Sequence, residues 1–212
     1  MVYFFAMKIK TLQVGSFEVN CTLLVAGEAA LIVDPGQDAD AVLDAVAGLG
    51  ARPAAALLTH GHFDHINALP GLLAAIPDLP VYVTAEDAQV MAHPLNALAP
   101  EYAPVRLTGA NFRPVTAAAL KFDGFPDIVP LPTPGHTPGG VCYHIPAEGL
   151  LLAGDTLFAG SVGRTDLPGG DMATLMKSLQ SLKALPPETK VIPGHGPFTT
   201  IGRECAENMF LQ

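Results

Sequence analysis

The stretch "LLTHGHFDH", from Leu57 to His65, places three histidines and an aspartate directly after an apolar run. The chain has only seven histidines in 212 residues, so three of them in so short a stretch is a strong concentration. Imidazoles crowded this closely are costly to hold together unless a positive ion lies between them. The apolar run predicts a strand whose carboxyl end delivers the histidines to one place. The stretch therefore predicts a metal site.

The overall composition indicates one compact domain over residues 1–212. Half of the residues are hydrophobic and 15% are charged, which is typical of a globular chain with one sizeable core. The net charge of -9 argues against nucleic acid as a partner, because binding to a phosphate backbone requires a basic surface. No run of about 18 apolar residues indicates a membrane span, so a membrane partner is not expected.

The cysteines and the first residues bear on the cellular location. Cys21, Cys142 and Cys205 are far apart and odd in number, so neither a disulfide framework nor a thiolate zinc site is predicted, and a reducing cytoplasm is favoured. The opening "MVYFFAMKIK" carries its charges after its apolar patch and lacks a small-residue cleavage site, which argues against a signal peptide. Met7 begins a more ordinary strand, so residues 1–6 are interpreted as an upstream extension.

Outward from the histidine cluster, short strands alternate with helices. Strands are predicted at "KIKTLQVG" (8–15), "CTLLVAG" (21–27), "AALIVDPG" (29–36), "AAALLT" (54–59), "LPVYVTAED" (79–87), 117–123, 127–131, 140–145, 149–153 and "KVIP" (190–193). Helices are predicted from Asp38 to Gly50, in part of 66–76 with a break at Pro70 and Gly71, after Thr84 with Asp87 as a variant capping box, from Asp171 and from about Thr199.

The order of these elements predicts the architecture. Strands followed by a helix, twice over, indicate two sheets packed face to face with helices outside, an α/β (α+β) fold in a four-layer αββα sandwich. Residues 93–116, rich in Pro and Ala, are predicted to form a long irregular connection. Loops of that length are usually functional lids or poorly ordered segments.

Three further metal-ligand candidates stand beside glycine at strand ends. They are His136 in "TPGHTPGG", Asp155 in "LLAGDTL" and His195 in "VIPGHGP". A rigid scaffold aims such side chains into a shared cleft. The complete candidate set is His60, His62, Asp64, His65, His136, Asp155 and His195. If Asp155 bridges two divalent ions, this set and a bridging hydroxide fill two five-coordinate metals. Imidazole and carboxylate without thiolate suit zinc, with iron or manganese as alternatives.

These residues resemble the H-x-H-x-D-H motif of the metallo-β-lactamase-fold hydrolases, and the match covers nearly the whole chain. The resemblance implies that one metal is held by His60, His62 and His136, and the other by Asp64, His65 and His195, with Asp155 bridging. It also supports the four-layer sandwich.

A finer resemblance is carried by "LFAGSVGRTDLPGGD" (157–171) and "PGHGPFTTIGRECAENMFLQ" (193–212). These stretches are similar to the short glyoxalase II type of hydroxyacylglutathione hydrolase. Longer glyoxalase II enzymes add a helical carboxyl-terminal domain that contributes glutathione contacts, and no such domain is expected in this chain.

Several polar residues near the motifs have two readings. Asp34 in "LIVDPG" is a candidate to orient a ligand histidine, with capping of turn amides as an equal alternative. Arg164 is a candidate to bind a substrate carboxylate, with pairing to Asp166 or Asp171 as its competitor. His93, His144 and the thiol of Cys142 are interpreted as structural.

The implied chemistry is hydrolysis by a metal-bridging hydroxide. Two metals that share a water lower its pKa from about 15.7 toward neutrality. The carbonyl oxygen would rest on the ion held by the three histidines, and Asp64 would orient the hydroxide while ligating the other ion. A thiolate with a pKa of about 8.5 can leave without a general acid, which favours thioesters over amides and β-lactams. The leading hypothesis is hydrolysis of S-2-hydroxyacylglutathione, such as S-lactoylglutathione, a small-molecule thioester.

Other functions remain as alternatives. Persulfide dioxygenase, an oxidoreductase whose relatives also carry "GRTD", would use one iron on His60, His136 and Asp155. A lactonase or another hydrolase of the same fold is a further alternative. A non-enzymatic metal-binding protein is disfavoured by the complete ligand set, flavodiiron-type oxidoreductases by His62, and nucleases by the acidic charge.

Overall fold

The computed structural model describes residues 7–96 and 102–212. The interpretation of residues 1–6 as an upstream extension lies outside these residues, and so does part of the predicted connection 93–116. Within the described residues, no helix is long and apolar enough to cross a membrane.

The first sheet has six strands in sequential order. They are β1 Lys8–Val14, β2 Val19–Ala26, β3 Ala29–Val33, β4 Arg52–Leu57, β5 Val81–Val83 and β6 Phe112–Pro114. The first three strands form an antiparallel meander, and β3 to β6 run parallel. Parallel neighbours require crossover connections, which are provided by helices α1 Ala39–Gly48, α2 Phe63–Ile66, α3 Leu69–Ala75 and α4 Ala85–Met91.

The second sheet has five strands, and a small hairpin stands apart from it. The sheet strands are β7 Val129–Pro132, β8 Val141–Ile145, β9 Leu150–Gly154, β12 Lys190–Pro193 and β13 Thr199–Thr200, in the order β13-β12-β9-β8-β7. The hairpin pairs β10 Leu157–Phe158 with β11 Ser161–Val162, and helices α5 Met172–Leu182 and α6 Ile201–Glu207 complete the chain. Strands β7, β9 and β12 point the same way, so their carboxyl ends meet at one edge.

Three hydrophobic clusters define the layers of the fold. The central cluster joins the sheets, with Leu31 and Leu57 from the first and Tyr143 and Leu152 from the second. A second cluster packs α1 and α3 on the outer face of the first sheet, and a third packs α5 on the second sheet. Each fully buried leucine stabilises such a core by about 1.5–3 kcal/mol relative to exposure. The predicted four-layer αββα arrangement is confirmed.

The predicted strand at 117–123 is wrong, and so is part of the predicted irregular connection 93–116. The first contains an isolated bridge between Leu120 and Ile128 and no named strand. The second contains a 3-10 turn at Pro94–Asn96 and strand β6, which extends the parallel sheet. Pairing partners supplied by distant segments decide both cases, and a local apolar pattern does not reveal them.

Helix ends follow the sequence except where a side chain has a tertiary partner. Asp171 accepts from Thr174 N at 2.7 Å and caps α5 as predicted. Asp38 precedes α1 but makes no capping bond, because its carboxylate accepts from Gly15 N at 3.0 Å. The predicted helix break at Pro70 is wrong. Pro70 lies in the first turn of α3, where the backbone N–H that proline lacks would have no partner within the helix.

Candidate metal centre

Loops at strand ends bring the seven predicted ligands together. His60, His62, Asp64 and His65 follow β4 directly, and the last two stand on the short helix α2. The other three follow β7, β9 and β12, and they are His136, Asp155 and His195. A backbone bond from Val141 N to Thr59 O, 2.9 Å long, joins the two sheets at this edge. The centre therefore lies where the two sheets meet.

The seven side chains form three overlapping groups of three residues. Within each group, the three ligand atoms lie within 4.8 Å of one another. The groups are His60 with His62 and His136, His60 with His65 and Asp155, and Asp64 with His65 and His195. We call the first group the three-histidine set and the third the Asp-His-His set. The cluster is able to bind metals, and Asp155 lies between the two sets.

Distances between the inward-facing atoms show how compact the cluster is. His62 Nδ1 lies 2.9 Å from His136 Nε2, and His65 Nε2 lies 3.2 Å from His195 Nε2. Asp155 Oδ1 is 3.3 Å from His65 Nε2, and its Oδ2 is 3.6 Å from His136 Nε2. One carboxylate thus reaches histidines of both sets.

The outward nitrogens of the histidines are held by neighbouring groups. His136 Nδ1 donates to Arg164 O at 2.6 Å, and His195 Nδ1 donates to Phe17 O at 2.8 Å. A carbonyl oxygen only accepts, so these bonds place the proton on Nδ1 and leave the Nε2 lone pair facing the cluster. That tautomer is the one a metal ligand requires.

Buried atoms without partners show that the cluster fits a metal. Within the described residues, His60 Nε2 and Asp155 Oδ1 are buried and have no hydrogen-bond partner. An unsatisfied buried polar atom costs about 1–3 kcal/mol. These two atoms lie among further imidazoles and carboxylates. Together these groups provide the nitrogen and oxygen donors that a divalent transition metal prefers.

Burial and neighbouring charges set the protonation of the ligands. Burial, reinforced by the nearby imidazole of His136, lowers the pKa of His62 to about 4, and burial also lowers the pKa of His60 well below its usual range. Burial alone would lower the pKa of His65, but the carboxylates of Asp155 and Asp64 outweigh it and raise that pKa well above the usual value. His60 and His62 are therefore neutral at pH 7, as metal binding requires.

Asp34 lies beside a ligand histidine. Its Oδ2 is 3.2 Å from His65 Nδ1, and it also accepts from the amide and hydroxyl of Thr59 at 2.8 and 2.7 Å. Asp34 has a φ of 50°, in the left-handed region that non-glycine residues seldom adopt. Such backbone strain persists only where the surroundings hold it in place. Asp34 thus lies against a candidate ligand histidine and also accepts from a backbone amide, which is the geometry that each of its two predicted roles requires.

Arg164 lies at the rim of the cluster and is paired with Asp166. Its Nε and NH2 groups donate to that carboxylate at 2.6 and 2.7 Å, and its side chain is 62% exposed. Asp171, the other predicted competitor, caps α5 instead. Arg164 also lines the cavity above the metal ligands, so its guanidinium is within reach of a bound molecule.

A cavity of about 750 Å³ opens onto the centre. Its polar floor includes His62, Asp64, His136, Asp155 and His195. Its walls are mainly apolar and comprise Phe17, Phe63, Val90, Leu95, Pro138, Leu167 and Pro168, with Glu86, Gln89, Asn96, His93 and Arg164 as polar members. A volume of this size suits a small organic substrate.

The remaining histidines and cysteines differ in their positions. His93, interpreted as structural, is exposed at the cavity and accepts from Leu95 N at 3.2 Å. His144 lies in β8, outside the cluster. Burial raises the pKa of Cys142 to about 11, which keeps it an unreactive thiol.

Two buried polar residues contact the ligand loops and were missed from the sequence. Asn96 donates to Gly61 O at 2.9 Å and accepts from Phe63 N at 3.1 Å. Asp87 accepts from Gly61 N at 3.0 Å and from Gly139 N at 2.9 Å. Their positions near a helix end and in a loop predicted only local bonds, and no sequence signal indicated these tertiary partners.

The fold and the histidine–aspartate cluster define a metallohydrolase, and the comparisons agree. The family model described as "Metallo-beta-lactamase superfamily" matches residues 14–195, and the chain belongs to this family. It is 36% identical to the probable metallo-hydrolase YqgX of Bacillus subtilis, over 97% of this chain and 98% of the relative. It is 34% identical to the hydroxyacylglutathione hydrolase GloC of Haemophilus influenzae, again over 97% and 98%. The resemblance inferred from the motifs is confirmed.

Solved structures extend the comparison. The BLEG-1 B3 metallo-beta-lactamase superposes with a TM-score of 0.87 at 34% identity, covering 96% of this chain and 99% of that one. TTHA1623, solved in a di-iron-bound form, gives a TM-score of 0.85 at 39% identity, covering 95% and 100%. ETHE1 from Myxococcus xanthus gives 0.74 at 26% identity, covering 96% and 84%. These structures share the fold of this chain while their names point to different chemistries.

Proposed function

We propose that this protein is a binuclear metallohydrolase that cleaves thioesters, with S-2-hydroxyacylglutathione as the substrate and a hydroxy acid and glutathione as the products. The observation that carries the proposal is a cluster of seven candidate metal-ligand side chains, five of which form the floor of a substrate-sized cavity. The hydroxyacylglutathione hydrolase GloC, similar over nearly its full length, supports the choice of substrate.

We assign the three-histidine set to one ion and the Asp-His-His set to the other, with Asp155 shared. Zinc is the proposed metal, because imidazole and carboxylate donors suit it, and the di-iron form of TTHA1623 supports iron as the alternative. When bound, the ions supply a nucleophile derived from water at neutral pH and polarise the carbonyl of the substrate.

The residues around the ions bind and orient the reactants. Burial opposes ionisation of Asp64, but neighbouring His65 and His195 outweigh it and lower the pKa of this carboxyl, so it is a carboxylate at neutral pH. This carboxylate lines the cavity, where it would ligate its ion and orient a reacting water. The apolar walls exclude bulk water and receive the acyl and thiol chains. The leaving thiol has a pKa of about 8.5, so it departs as thiolate without a general acid.

Arg164 is assigned to the carboxylate of the thiol carrier. Among the described cavity-lining residues it carries the one permanent positive charge, and a guanidinium binds a carboxylate through two parallel bonds. Its partner Asp166 is an exposed residue, and an exposed ion pair of this kind is worth about 0–1 kcal/mol. A substrate carboxylate can therefore replace Asp166.

The test is thiol release from S-lactoylglutathione by the purified protein, with metal content determined on the same sample. The proposal requires release together with about two metals per chain. His62→Ala is the matched variant, because it removes a member of the three-histidine set and should abolish release. Full release by the metal-free protein would overturn the proposal.

Two other chemistries are distinguished in the same experiment. The first is persulfide oxidation, which the likeness to ETHE1 supports. It predicts oxygen uptake with glutathione persulfide and one iron per chain. The complete Asp-His-His set beside the three-histidine set favours two ions over one. The second is β-lactam hydrolysis, which the likeness to the BLEG-1 B3 metallo-beta-lactamase supports. It predicts cleavage of a chromogenic β-lactam. Oxygen uptake with one iron per chain, or β-lactam cleavage without thiol release, would replace the thioesterase assignment.

A further inference from the structure

Asp87 is a buried carboxylate that none of the proposed steps uses. It lies in the first turn of α4 and is 0% exposed. Its Oδ2 accepts from Gly61 N at 3.0 Å and from Thr137 Oγ1 at 2.7 Å, and its Oδ1 accepts from Gly139 N at 2.9 Å. Three hydrogen bonds to one buried carboxylate make a well-satisfied, rigid junction.

The three donors belong to the two loops that carry the three-histidine set. Gly61 stands between His60 and His62, and Thr137 follows His136 directly. The first loop follows β4 of the first sheet and the second follows β7 of the second sheet. Asp87 therefore connects, through one side chain, two ligand loops that the chain separates by more than seventy residues.

Close packing against α4 supports the same connection. A Cβ at Gly61 would lie 2.5 Å from the backbone oxygen of Asp87 and 3.0 Å from Met91 Cγ. A Cβ at Gly139 would overlap the hydroxyl of Thr84 and lie 3.0 Å from Asp87 N. Only glycine allows both loops to approach the helix this closely, so the helix is the surface on which they are placed.

The other metal-ligand set has different anchors. His65 Nδ1 faces Asp34, and His195 Nδ1 donates to Phe17 O. Neither of these bonds involves α4. These anchors of the Asp-His-His set do not involve Asp87, so a change at Asp87 should act first on the three-histidine set.

We propose that Asp87 is a positioning residue that fixes the spacing of His60, His62 and His136, and so sets the affinity of that set for its ion without affecting the Asp-His-His set. This inference rests on the metal centre assigned under the proposed function, and its test measures metal binding without any substrate. Residues that orient metal ligands typically change metal affinity by about 10–100-fold when mutated.

The experiment isolates each set in turn. His195→Ala leaves the three-histidine set as the intact one, and His62→Ala leaves the Asp-His-His set. Asp87→Asn is then introduced into both backgrounds, and the affinity for Zn²⁺ is measured by competition with a chromophoric chelator. The amide of asparagine cannot accept from all three donors, so at least one bond is lost. A weakening of about 10-fold or more in the His195→Ala background, with no change in the His62→Ala background, is expected.

Glu204→Gln is the matched control. Glu204 is also a buried carboxylate with three hydrogen bonds, from Gly160 N, Asn208 Nδ2 and Thr199 Oγ1, and it contacts no metal-ligand candidate. This variant should lower the thermal midpoint and leave Zn²⁺ affinity unchanged in both backgrounds. If Asp87→Asn behaves in the same way, or weakens both sets equally, the positioning role is refuted.

Thr137→Val provides a second route should Asp87→Asn not fold. It removes one donor to Asp87 while keeping the size of the side chain, and it should weaken Zn²⁺ binding by the three-histidine set alone. Selective weakening in a protein that releases no thiol from S-lactoylglutathione would support the role of Asp87 and reject the thioesterase. Unchanged Zn²⁺ affinity in a protein that does release thiol would reject the role of Asp87 and support the thioesterase.

Discussion

Asp155 is the residue that the two ions of the proposed metal centre would share. Its two oxygens face histidines of both sets, and one of them is buried without a hydrogen-bond partner among the described residues. Burial opposes ionisation, but His65 and the other imidazoles outweigh it and lower the pKa of this carboxyl. A permanent negative charge shared by two positive ions is the arrangement that this environment favours.

Asp155→Ala should therefore reduce bound metal below two ions per chain and lower kcat/KM by at least about 100-fold. Metal content after dialysis and thiol release are the two measurements. Asp166→Ala, which removes an exposed carboxylate outside the ligand set, is the control for metal content. Two retained ions with full activity in Asp155→Ala would contradict the bridging assignment.

Arg164 permits a prediction about binding rather than turnover. If it binds a substrate carboxylate, Arg164→Ala should raise KM by about 10-fold, which corresponds to about 1.4 kcal/mol, and change kcat by less than about 3-fold. Asp166→Ala should lower KM, because it releases the guanidinium from its partner. A thioester of a neutral thiol serves as the control substrate, for which neither variant should alter KM. An unchanged KM for the glutathione thioester in Arg164→Ala would leave the residue with its surface ion pair only.

The β10–β11 hairpin and the loop after it show how an element can position a ligand without supplying one. Gly163 ends this hairpin, and a Cβ there would overlap the backbone oxygen of Asp155 and lie 3.1 Å from His136 Nδ1. The next residue supplies the carbonyl that orients His136. The hairpin is thus packed against two ligands at once.

Gly163→Ala should displace Asp155 or His136 and cause the loss of at least one bound ion. Gly160→Ala is the matched control in the turn of the same hairpin, since a Cβ there meets nothing within 4 Å. Its φ of 74° makes alanine unfavourable by about 1 kcal/mol, so the control should lose stability but keep its metal. Thermal melts and metal content of both variants separate the two effects. Equal metal content in both would show that the close approach of Gly163 is unimportant.

Among the strands and helices, the sequence predicts those that are stabilised by interactions between residues close together in the chain. The strands "KIKTLQVG" and "KVIP" and the helix capped by Asp171 agree with β1, β12 and α5, because apolar period and capping act over neighbouring residues. Strand β6 and the β10–β11 hairpin are too short for such a period. Strand β6 exists because the distant strand β5 provides its partner, and the two-residue strands of the hairpin pair only with each other. Neither case leaves an apolar pattern in the local sequence.

At the scale of the whole molecule, the strand order allows the candidate ligands to be predicted from the sequence. The residues that contact the ligand loops could not be predicted in the same way. Each ligand follows an apolar strand and stands beside glycine or another ligand, so the strand order alone brings them to one edge. Asp87 and Asn96 act through contacts between distant loops, and nothing in "TAED" or "HPLN" distinguishes them from ordinary helix-end residues. The sequence therefore predicts the atoms that bind, while the structure is needed to show what orients them.

Buried groups in the three hydrophobic clusters make a prediction about alkaline stability. Burial raises the pKa of Cys21, Cys142 and Tyr143, and for Cys142 the value is about 11 against 9.0 in the unfolded chain. The unfolded chain loses the two thiol protons as pH rises above 9.0 and the tyrosine proton above 10.0, while the folded chain keeps them. The unfolded state then binds fewer protons, so stability falls as pH rises. The full contribution is present below pH 9 and is lost as pH rises through the folded-state pKa values.

The free energy of unfolding should consequently decrease between pH 9 and 11, by up to about 1.4 kcal/mol per pH unit for each group that is ionised in the unfolded chain but still protonated in the fold. Urea unfolding of the chelator-treated protein at pH 8 and pH 10 measures this change without a contribution from metal. Cys142→Ala removes one of the three groups, so the free energy of unfolding of this variant should fall less steeply with pH, by about one group's share. Identical slopes in the two proteins would mean that Cys142 ionises as readily in the fold as in the unfolded chain, which a thiol sealed between the second sheet and α5 cannot do without opening that layer.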